Sequence, residues 1–506
     1  MSDWSEGYVT NIEYITACYP DQGPIHLDLM ALLAGVEPPG GRHRQAYCEL
    51  GAGQGLTATL IALTNPGIDV HAVDFMPGQV ARARDFADAL GLDNVTFHEA
   101  SFLDMAEGRG PVLPDFDYVT MHGVYSWVSR ENQNAIVKFM ADKLRPGGLV
   151  YTSYNAMPGW GAGIPVQRLL SEVAGLTHGS SVQRVAEGFD LLKKLYQAKA
   201  VHLTTNELAR DLIEHTSLNP AYMAHEYLNQ FWRPLFFADV ARDFAGAKLE
   251  YVGPARPVDL FDQLMMTEEQ IALTDGVPDP IVAETLRDYC RMRTFRVDIH
   301  VKGLRRMPAH ERDMRLASVP LALTCGPTDF PYELPMPRGV ANLPDAIYRP
   351  MIEALAEHGP ATLSEILSRP GYAGKAPGSI TECIGMLLTT RKIAAAAPLD
   401  DATAIARCRA ANRRSAMRMR ELATREGIPV AMPALRNAGH IQALDLIAVH
   451  LINAIPGLGD DGLVARLADL AKEGDIELPE GDDPERRLRA LVADRRRIWR
   501  HLGLID

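Results

Sequence analysis

Cysteine is scarce in this sequence, and no two cysteines have the spacing of a metal or redox motif. The chain has 506 residues and six cysteines, which are Cys18, Cys48, Cys290, Cys325, Cys383 and Cys408. They lie far apart, without a Cys-x-x-Cys pair. We therefore expect neither a disulfide framework nor a metal site, and a reducing cytoplasm fits this composition.

Long apolar runs and a surplus of positive charge are also missing. No apolar run approaches the roughly 18–20 residues that span a bilayer, and Met1–Glu6 has no basic stretch before an apolar one. We expect no membrane span, no signal peptide and a cytoplasmic location. The formal net charge of −13 argues against general nucleic-acid binding and permits basic substrates such as lysine side chains.

What the sequence does have is a glycine-rich turn after an apolar run. Residues 46–55 read Ala-Tyr-Cys-Glu-Leu-Gly-Ala-Gly-Gln-Gly, and a second apolar run delivers Asp74 further on. Strand, glycine turn, helix and a strand ending in an acid describe a nucleotide-type pocket, in which the acid accepts hydrogen bonds from ribose hydroxyls. An NAD fingerprint shares these features, and so does a tight turn without a ligand.

Two details favour S-adenosylmethionine (SAM) over NAD. The spacing is Glu-x-Gly-x-Gly-x-Gly rather than Gly-x-Gly-x-x-Gly, and Glu49 stands at the strand end, where its carboxylate orients backbone and water beneath the methionine part. SAM has no pyrophosphate, so its site need not present a helix N-terminus to an anion. This segment resembles motif I of the class I SAM-dependent methyltransferases. The predicted cofactor-binding residues here are Glu49, Gly51, Ala52, Gly53, Gly55, Asp74 and Phe75.

Apolar runs alternate with helical patterns through the first third of the chain. The pattern predicts helices at 24–36, 55–64, 77–90 and 130–144, and strands at 46–50, 69–74, 95–100, 116–122 and 147–154. Regular alternation of this kind indicates a parallel sheet with helices on both faces. Two later strands, Lys248–Gly253 and Thr294–Lys302, would close the sheet. We therefore predict an α/β, doubly wound, Rossmann-like sheet with helical insertions.

Polar and aromatic residues collect at the ends of two neighbouring strands. His122, Tyr125 and Trp127 follow one strand, and Tyr154 and Asn155 end the next. In doubly wound sheets the ligand crevice lies beyond the carboxyl ends of the strands, which places both clusters at the mouth of the pocket. The alternative to a binding site is that the aromatic rings only pack and that His122 is a buried histidine with satisfied hydrogen bonds.

Both clusters resemble the signatures of a known family. The segments His-Gly-Val-Tyr-Ser-Trp-Val, at 122–128, and Ser-Tyr-Asn-x-x-Pro-Gly-Trp, at 153–160, are similar to those of bacterial class I methyltransferases that carry a methyltransferase regulatory domain. That group includes protein-lysine methyltransferases that modify outer-membrane proteins. The resemblance covers residues 1–305 and implies SAM as the cofactor and a protein lysine as the acceptor.

The third strand departs from the pattern of many class I enzymes. Where these have an acid that reads the adenine amino group, this chain has Ser101, followed by Phe102. A serine hydroxyl can accept the same hydrogen bond, and Asp104 could reach it from the turn. We expect Ser101, Phe102, Met121 and His122 to complete the cofactor pocket.

Methyl transfer to an amine requires alignment, desolvation and loss of a proton from the amine. A free lysine has a pKa of about 10.4, which burial lowers. We assign His122 as general base or proton relay, because its ordinary pKa lies near working pH. Tyr125, Tyr154 and Trp127 would line the acceptor channel with their ring faces, and Asn155 would hold the acceptor by its carbonyl oxygen.

The pattern along the chain also predicts its domains. We predict a SAM-binding core at 1–162, a helical lid or regulatory segment with the closing strands at 163–305, a Pro-rich linker at 306–342, a winged-helix-like module at 343–398 and a helical C-terminal domain at 399–506. Because residues 1–305 hold every predicted strand and cluster, we expect a fragment ending near residue 303 to bind SAM, and the rest to hold a large acceptor. The oligomeric state stays open, a homodimer included.

Two other functions are compatible with the sequence. One is methylation of a small molecule or lipid headgroup. The other is a SAM-binding regulator whose winged-helix-like module contacts DNA or a partner, which seven arginines between Arg407 and Arg425 support. Their spacing is more typical of a solvated helix face, and the strand-end clusters favour catalysis. We therefore predict a SAM-dependent methyltransferase acting on a protein amine, above all lysine.

Overall fold

The structure of the protein is a computed structural model. It describes residues 7–8, 10, 16–40, 44–214, 220–369, 372, 377–422, 427–473, 476 and 483–506. The segment Met1–Glu6, in which we expect no signal peptide, lies outside the described residues, as does Arg425. Within the described part, no helix has the length and apolar character needed to cross a membrane.

Seven strands form the central sheet. They are β1 (Gln45–Leu50), β2 (Ile68–Asp74), β3 (Val95–Glu99), β4 (Phe116–Met121), β5 (Leu144–Asn155), β6 (Leu249–Pro254) and β7 (Phe295–Lys302). Their order across the sheet is β3-β2-β1-β4-β5-β7-β6, with β7 antiparallel to both neighbours and the other pairs parallel. The direction of winding reverses between β1 and β4, so their carboxyl ends flank a crevice. The predicted doubly wound sheet is confirmed.

Helices connect the strands and form the insertions. In the first half of the chain they are α1 (Pro24–Leu33), α2 (Leu56–Thr64), α3 (Pro77–Leu90), α4 (Phe102–Ala106), α5 (Arg130–Lys143), α6 (Ile164–Leu176), α7 (Ser181–Gln197), α8 (Val201–Thr204), α9 (Glu207–Glu214), α10 (Pro220–Leu228) and α11 (Phe237–Ala245). Three more, α12 (Asp262–Met265), α13 (Glu268–Asp275) and α14 (Pro280–Arg291), lie between β6 and β7. The predicted helical insert between the two closing strands is therefore present.

Separate apolar clusters pack on the sheet and within the insertion. One cluster joins α1, α2 and α3 to the sheet and continues into the C-terminal region. A second packs α5 and α11 on the sheet through Ile136, Phe139, Val240 and Phe244. A third holds α6, α7 and α10 together, so the helical insertion has a core of its own.

The predicted linker at 306–342 has regular structure. It contains α15 (Ala309–Ala317), β8 (Pro320–Leu323) and an antiparallel hairpin of β9 (Glu333–Met336) and β10 (Gly339–Asn342). Prolines begin or flank these short elements, as at Pro308 and Pro320, because proline is tolerated at a helix start or a strand edge. The segment thus has regular elements of its own, and its role as a linker between domains stays a prediction.

The stretch 343–398 contains three helices and two short strands. They are α16 (Asp345–His358), β11 (Ala361–Thr362), α17 (Leu363–Leu367), α18 (Ile380–Thr389) and β12 (Ile393–Ala395). Both strands pair with β8, which precedes the helices, so the sheet order is β11-β8-β12. The sheet therefore takes a strand from outside the predicted boundary, and the winged-helix module stays a prediction.

The C-terminal region packs directly on the cofactor-binding half. It consists of α19 (Ala402–Glu421), β13 (Ile428–Met432), β14 (Asn437–Ile441), α20 (Ala443–Ala454), α21 (Asp460–Glu473) and α22 (Pro484–His501). Every residue of α2 is buried, because α19 and the β13–β14 hairpin cover the side of α2 that faces away from the sheet. Asn65, which follows α2, donates to the carbonyl of Arg436 at 2.8 Å. The two halves of the chain therefore share one core.

Candidate functional site

A cavity of about 460 Å³ lies at the carboxyl ends of the parallel strands. Its walls come from the glycine turn after β1, from the residues that follow β2, β3 and β4, and from the ends of β5 and β7. Helix α10 of the insertion contributes His225 and Glu226 from the opposite side. The topology thus brings the ends of six strands and one inserted helix to a single pocket.

The glycine turn has a backbone that only glycine adopts without strain. Gly51, Gly53 and Gly55 have φ angles of 71°, 55° and 68°, in the left-handed region. A Cβ atom on Gly51 would lie 2.5 Å from a methyl carbon of Val124, and one on Gly55 would lie 2.3 Å from the Phe97 ring. The turn is therefore fixed both by its dihedral angles and by close packing against β3 and the loop after β4.

Glu49 ends β1 beneath this turn, and its carboxyl is 4 % exposed. One oxygen accepts from Gln22 Nε2 at 3.3 Å, and the other accepts from the backbone N–H of Ala58, in the first turn of α2, at 3.1 Å. Burial raises the pKa of Glu49 to about 8, although both hydrogen bonds oppose the rise. Glu49 therefore ties β1 to the start of α2 and lines the cavity.

Asp74 ends β2 and holds the glycine turn from the other side. Its Oδ2 accepts from the N–H of Gly53 at 2.8 Å, and its Oδ1 accepts from the N–H of Met76 at 2.9 Å. Burial raises the pKa of Asp74, and these backbone donors oppose the rise. A carboxylate has about four lone-pair positions, so two backbone bonds leave room for further donors.

The end of β3 brings Ser101 and Phe102 to the cavity, but not Asp104. Ser101 caps α4, since its hydroxyl accepts from the N–H of Asp104 at 3.1 Å and also donates to the Asp104 carboxylate. Arg109 holds that carboxylate with two hydrogen bonds, at 2.7 and 2.9 Å. Asp104 is therefore occupied outside the pocket, and the expectation that it reaches the adenine was wrong.

His122 lies in the wall of the cavity between two tyrosines. Its ring stacks on Tyr19 with centroids 3.6 Å apart, and its Nδ1 lies 2.8 Å from the hydroxyl of Tyr151. Burial, helped by the nearby Arg256 guanidinium, lowers the pKa of His122 to about 3. The imidazole is thus neutral at physiological pH, which removes the reason for assigning it as a base that titrates near neutrality.

Three tryptophans pack together where the cavity meets the insertion. The Trp232 ring lies edge-on to both Trp127 and Trp160, at 6.4 and 5.1 Å between centroids. Trp127 and Trp160 line the cavity, as does Asn155. The Nδ2 atom of Asn155 is buried and has no hydrogen-bond partner among the described residues. This end of the pocket offers aromatic faces and one unsatisfied amide.

Three predicted site residues lie outside the cavity. The Tyr125 hydroxyl donates to Asp243 at 3.1 Å, and the Tyr154 hydroxyl donates to Asp298 at 2.8 Å, so both rings point into the protein. Met121 is fully buried in the apolar cluster beneath α5. Side chains alternate along a strand, and Met121 of β4 and Tyr154 of β5 lie in the apolar cluster that packs α5 and α11 on the sheet. These positions do not support the acceptor-channel role of Tyr125 and Tyr154, which stays a prediction.

Sequence reasoning missed several wall residues. Tyr8 lies edge-on to Phe75, with 5.8 Å between centroids, and also packs on His225 at 5.5 Å, so its ring closes one side of the pocket. Two further wall residues that the sequence did not indicate are Phe295, at the start of β7, and Glu226, on α10. Nothing in their local spacing marks these residues, because each reaches the pocket only through the tertiary fold.

Two family models match this chain. The model described as "Methyltransferase domain" matches residues 48–150, which hold the glycine turn and strands β2 to β4. The model described as "Predicted methyltransferase regulatory domain" matches residues 219–302, from α10 to the end of β7. Both matches include residues of the cavity wall.

Relatives and a solved structure are similar to this chain over much of its length. Protein sll1526 of Synechocystis sp. is 33% identical over 364 residues, which are 72% of this chain and 71% of that protein. Protein RP789 of Rickettsia prowazekii is 24% identical over 57% of this chain and 51% of its own length. The structure of PKMT2 from Rickettsia typhi in complex with AdoHcy covers 97% of this chain and 99% of that one, with a TM-score of 0.71 and 15% identity.

The fold, the glycine turn and these matches define the class of protein. The chain belongs to the class I SAM-dependent methyltransferases that carry a methyltransferase regulatory domain. Its cofactor is accordingly SAM.

Proposed function

We propose that this enzyme transfers the methyl group of SAM to the side-chain nitrogen of a lysine in a protein. The observation that carries the proposal is the charge of the pocket. The residues that line it include three carboxyl groups, those of Glu49, Asp74 and Glu226, and none of the described lining residues is a lysine or arginine. Burial raises the pKa of Glu49 to about 8, so the negative charge of the pocket comes mainly from Asp74 and Glu226. Acidic side chains without a basic side chain beside them favour a cationic acceptor over a phosphate or carboxylate acceptor.

The cofactor end of the pocket has the groups that SAM requires. When bound, SAM supplies an electrophilic methyl group on a sulfonium sulfur. Asp74 would accept from the ribose hydroxyls with the lone pairs that its two backbone bonds leave free. Phe75 and Phe102 would bound the adenine, and Ser101 offers it a hydroxyl. Gly51–Gly55 would let the ligand lie against main chain that no Cβ shields.

The acceptor end would prepare the amine. Trp127 and Trp160 exclude water there, and their ring faces stabilise a cation at short range. The unsatisfied Nδ2 of Asn155 is a hydrogen-bond donor, so it would hold an oxygen of the acceptor segment or the lone pair of the deprotonated amine, and not the ammonium. Glu226 is the carboxyl group on the insertion side of the pocket, and we assign it the binding of the acceptor ammonium. His122 stays neutral and contributes its ring as wall.

The regulator alternative loses part of its support in the arginine-rich helix α19. Arg407 donates to the carbonyls of Ala62 and Leu63 at the end of α2, at 3.1 and 3.0 Å. Arg409 donates to the carbonyl of Gly503 at 2.8 Å. These two guanidinium groups join parts of the protein and do not belong to a basic face for DNA, whereas Arg413, Arg414 and Arg420 are exposed.

The test is intact-mass spectrometry of lysine-containing proteins incubated with the enzyme and SAM that carries a deuterated methyl group, followed by peptide mapping. Methyl groups should appear on lysine nitrogens, and a matched arm with acetylated lysines should gain none. Glu226→Gln should raise the KM for the protein and leave the SAM affinity near wild type. Label on carboxyl, hydroxyl or phospholipid acceptors instead of lysine would refute the proposal.

A further inference from the structure

Helix α14 of the regulatory domain has its apolar residues on the outside. Val282, Leu286 and Tyr289 recur at helical spacing and are 39%, 37% and 56% exposed, and Met292, just after the helix, is 65% exposed. A surface helix of a soluble protein normally turns its apolar stripe toward the core. We call these four residues the α14 strip.

The inner face of α14 is charged instead. Asp288 accepts from Arg296 of β7 at 2.6 Å, and Glu284 accepts from the same guanidinium at 2.9 Å, with Asp288 and Arg296 fully buried. Arg287 and Arg291 also turn inward and pair with Asp262. This ion network anchors the helix in one orientation, because the strip cannot rotate into the core without breaking buried ion pairs.

The strip leads to the mouth of the cavity. The carbonyl of Arg293 accepts from the N–H of Gly159 at 3.1 Å, which places the end of α14 beside Trp160. A Cβ on Gly159 would lie 2.1 Å from that carbonyl oxygen, so the two segments are in direct contact. Thr294, two residues after Met292, is exposed and lines the cavity, and Phe295 follows it in the wall.

The segment that carries the strip is acidic. The segment 262–292 contains no lysine, and its two arginines, Arg287 and Arg291, are only 19% and 5% exposed. Its exposed carboxylates are Glu268, Glu269, Asp275 and Asp279. Leu273, on the neighbouring α13, adds a further exposed apolar side chain. An apolar strip among carboxylates complements a segment with apolar residues on one side and lysines on the other.

We propose that the α14 strip is the docking surface for the acceptor protein. It would bind an amphipathic segment that carries lysines and present one lysine to the pocket beyond Thr294. The inference rests on the proposed function for its choice of occupant. A second copy of this chain fits the strip less well, because the same carboxylates would face one another across a symmetric interface.

The experiment compares two triple variants of the full chain. Val282→Ser, Leu286→Ser and Met292→Ser remove most of the strip, while Tyr289, whose ring packs on Phe236, is left in place. Val112→Ser, Leu176→Ser and Met314→Ser are the matched control, since these side chains are 99%, 84% and 63% exposed and lie elsewhere. The probe is a labelled peptide of about 18 residues, or five helical turns, with leucines on one face and lysines on the other, and its scrambled counterpart.

Fluorescence anisotropy should show that wild type and control variant bind the amphipathic peptide at least about tenfold more tightly than the scrambled one. The strip variant should lose this preference while its SAM affinity, measured by calorimetry, stays unchanged. Equal binding by the strip variant, or no preference in wild type, would overturn the docking surface. The docking surface would also be overturned if the only effect of the strip variant were a change from dimer to monomer in sedimentation, because the strip would then bind a second copy of this chain.

Mass spectrometry of the same peptide separates this inference from the proposed function. A peptide that docks on the strip but gains no methyl group contradicts the lysine acceptor and leaves the docking surface standing. A peptide that is methylated equally well by the strip variant contradicts the docking surface and leaves the lysine acceptor standing.

Discussion

The ring of Tyr19 lies face to face with the imidazole of His122, with 3.6 Å between the centroids. The backbone N–H of Tyr19 donates to the hydroxyl of Thr57 in α2, which anchors the tyrosine over the pocket. His122 is therefore flanked by Tyr19, Tyr151 and Phe295, and it is half-buried in the wall of the cavity.

This enclosure predicts how stability depends on pH. In the unfolded chain His122 binds a proton below its ordinary pKa of 6.5, whereas in the folded chain its pKa is about 3. Between these values the unfolded state holds more protons, so the contribution of neutral His122 is present above pH 6.5 and is lost as the pH falls toward 3. We expect the loss to be on the order of a few kcal/mol.

Urea denaturation between pH 7 and 4 measures this effect. His122→Gln, which keeps polar groups but does not titrate, should show a shallower decline in unfolding free energy than wild type. Parallel curves for the two proteins would contradict the enclosed, neutral histidine. The rate of methyl transfer should depend on pH in the same way in wild type and in this variant between pH 6 and 8.

A second prediction concerns Asp74. Asp74→Ala removes the acceptor for the N–H groups of Gly53 and Met76 as well as the proposed partner of the ribose. We expect SAM affinity to fall more than tenfold, equivalent to a loss of about 1.5–3 kcal/mol. Calorimetric titration of the folded variant measures it. The SAM affinity of Asp74→Asn, which keeps one carbonyl oxygen, should lie between those of wild type and Asp74→Ala. Wild-type affinity in Asp74→Ala would refute the cofactor assignment.

The buried tyrosine Tyr154 should matter for stability and not for turnover. Tyr154→Phe removes a hydrogen bond from Asp298, which still accepts from Arg296 at 2.8 and 3.0 Å. Losing one bond to a buried carboxylate should lower the unfolding free energy by about 1–3 kcal/mol. Turnover per folded molecule should match wild type, whereas Trp127→Ala should reduce turnover per folded molecule. A reduced turnover in folded Tyr154→Phe would return this residue to the acceptor channel.

Removal of the C-terminal region should unfold the enzyme. A fragment that ends after residue 305 loses α19, β13 and β14, which cover the fully buried α2. We therefore expect no cooperative thermal transition and no SAM binding, which reverses the expectation from the sequence. Arg407→Ala in the full chain is the graded control, because it removes only the two hydrogen bonds to the end of α2. It should lower the unfolding free energy by about 1–3 kcal/mol, and a fragment that binds SAM would contradict the shared core.

The sequence could predict the sheet because local patterns determine it. The alternation of apolar runs, glycine turns and helical periods marks β1 to β7 within a few residues of their ends. The glycine spacing marks Gly51, Gly53 and Gly55, whose φ angles are a property of the turn itself. Asp74 follows for the same reason, since it is the last residue of a strand.

The rest of the site depends on contacts that no local pattern encodes. Tyr125 and Tyr154 are near the expected strand ends, but their partners Asp243 and Asp298 come from distant segments and turn both rings inward. Glu226 reaches the pocket only because α10 packs across it. The low pKa of His122 is set by burial and by Arg256, far along the chain.

The complete burial of α2 also has a consequence for biosynthesis. This helix contains no charged residue, and a covering contact, from Asn65 to Arg436, spans 371 positions. At about 5–20 residues per second, a ribosome needs roughly 20–70 s to make that distance. Throughout this interval α2 is an apolar helix in the nascent chain, and the segments that bury it have not yet been synthesised. The cofactor pocket, whose Glu49 is held by the first turn of α2, can therefore mature only after the residues around Arg436 have been made.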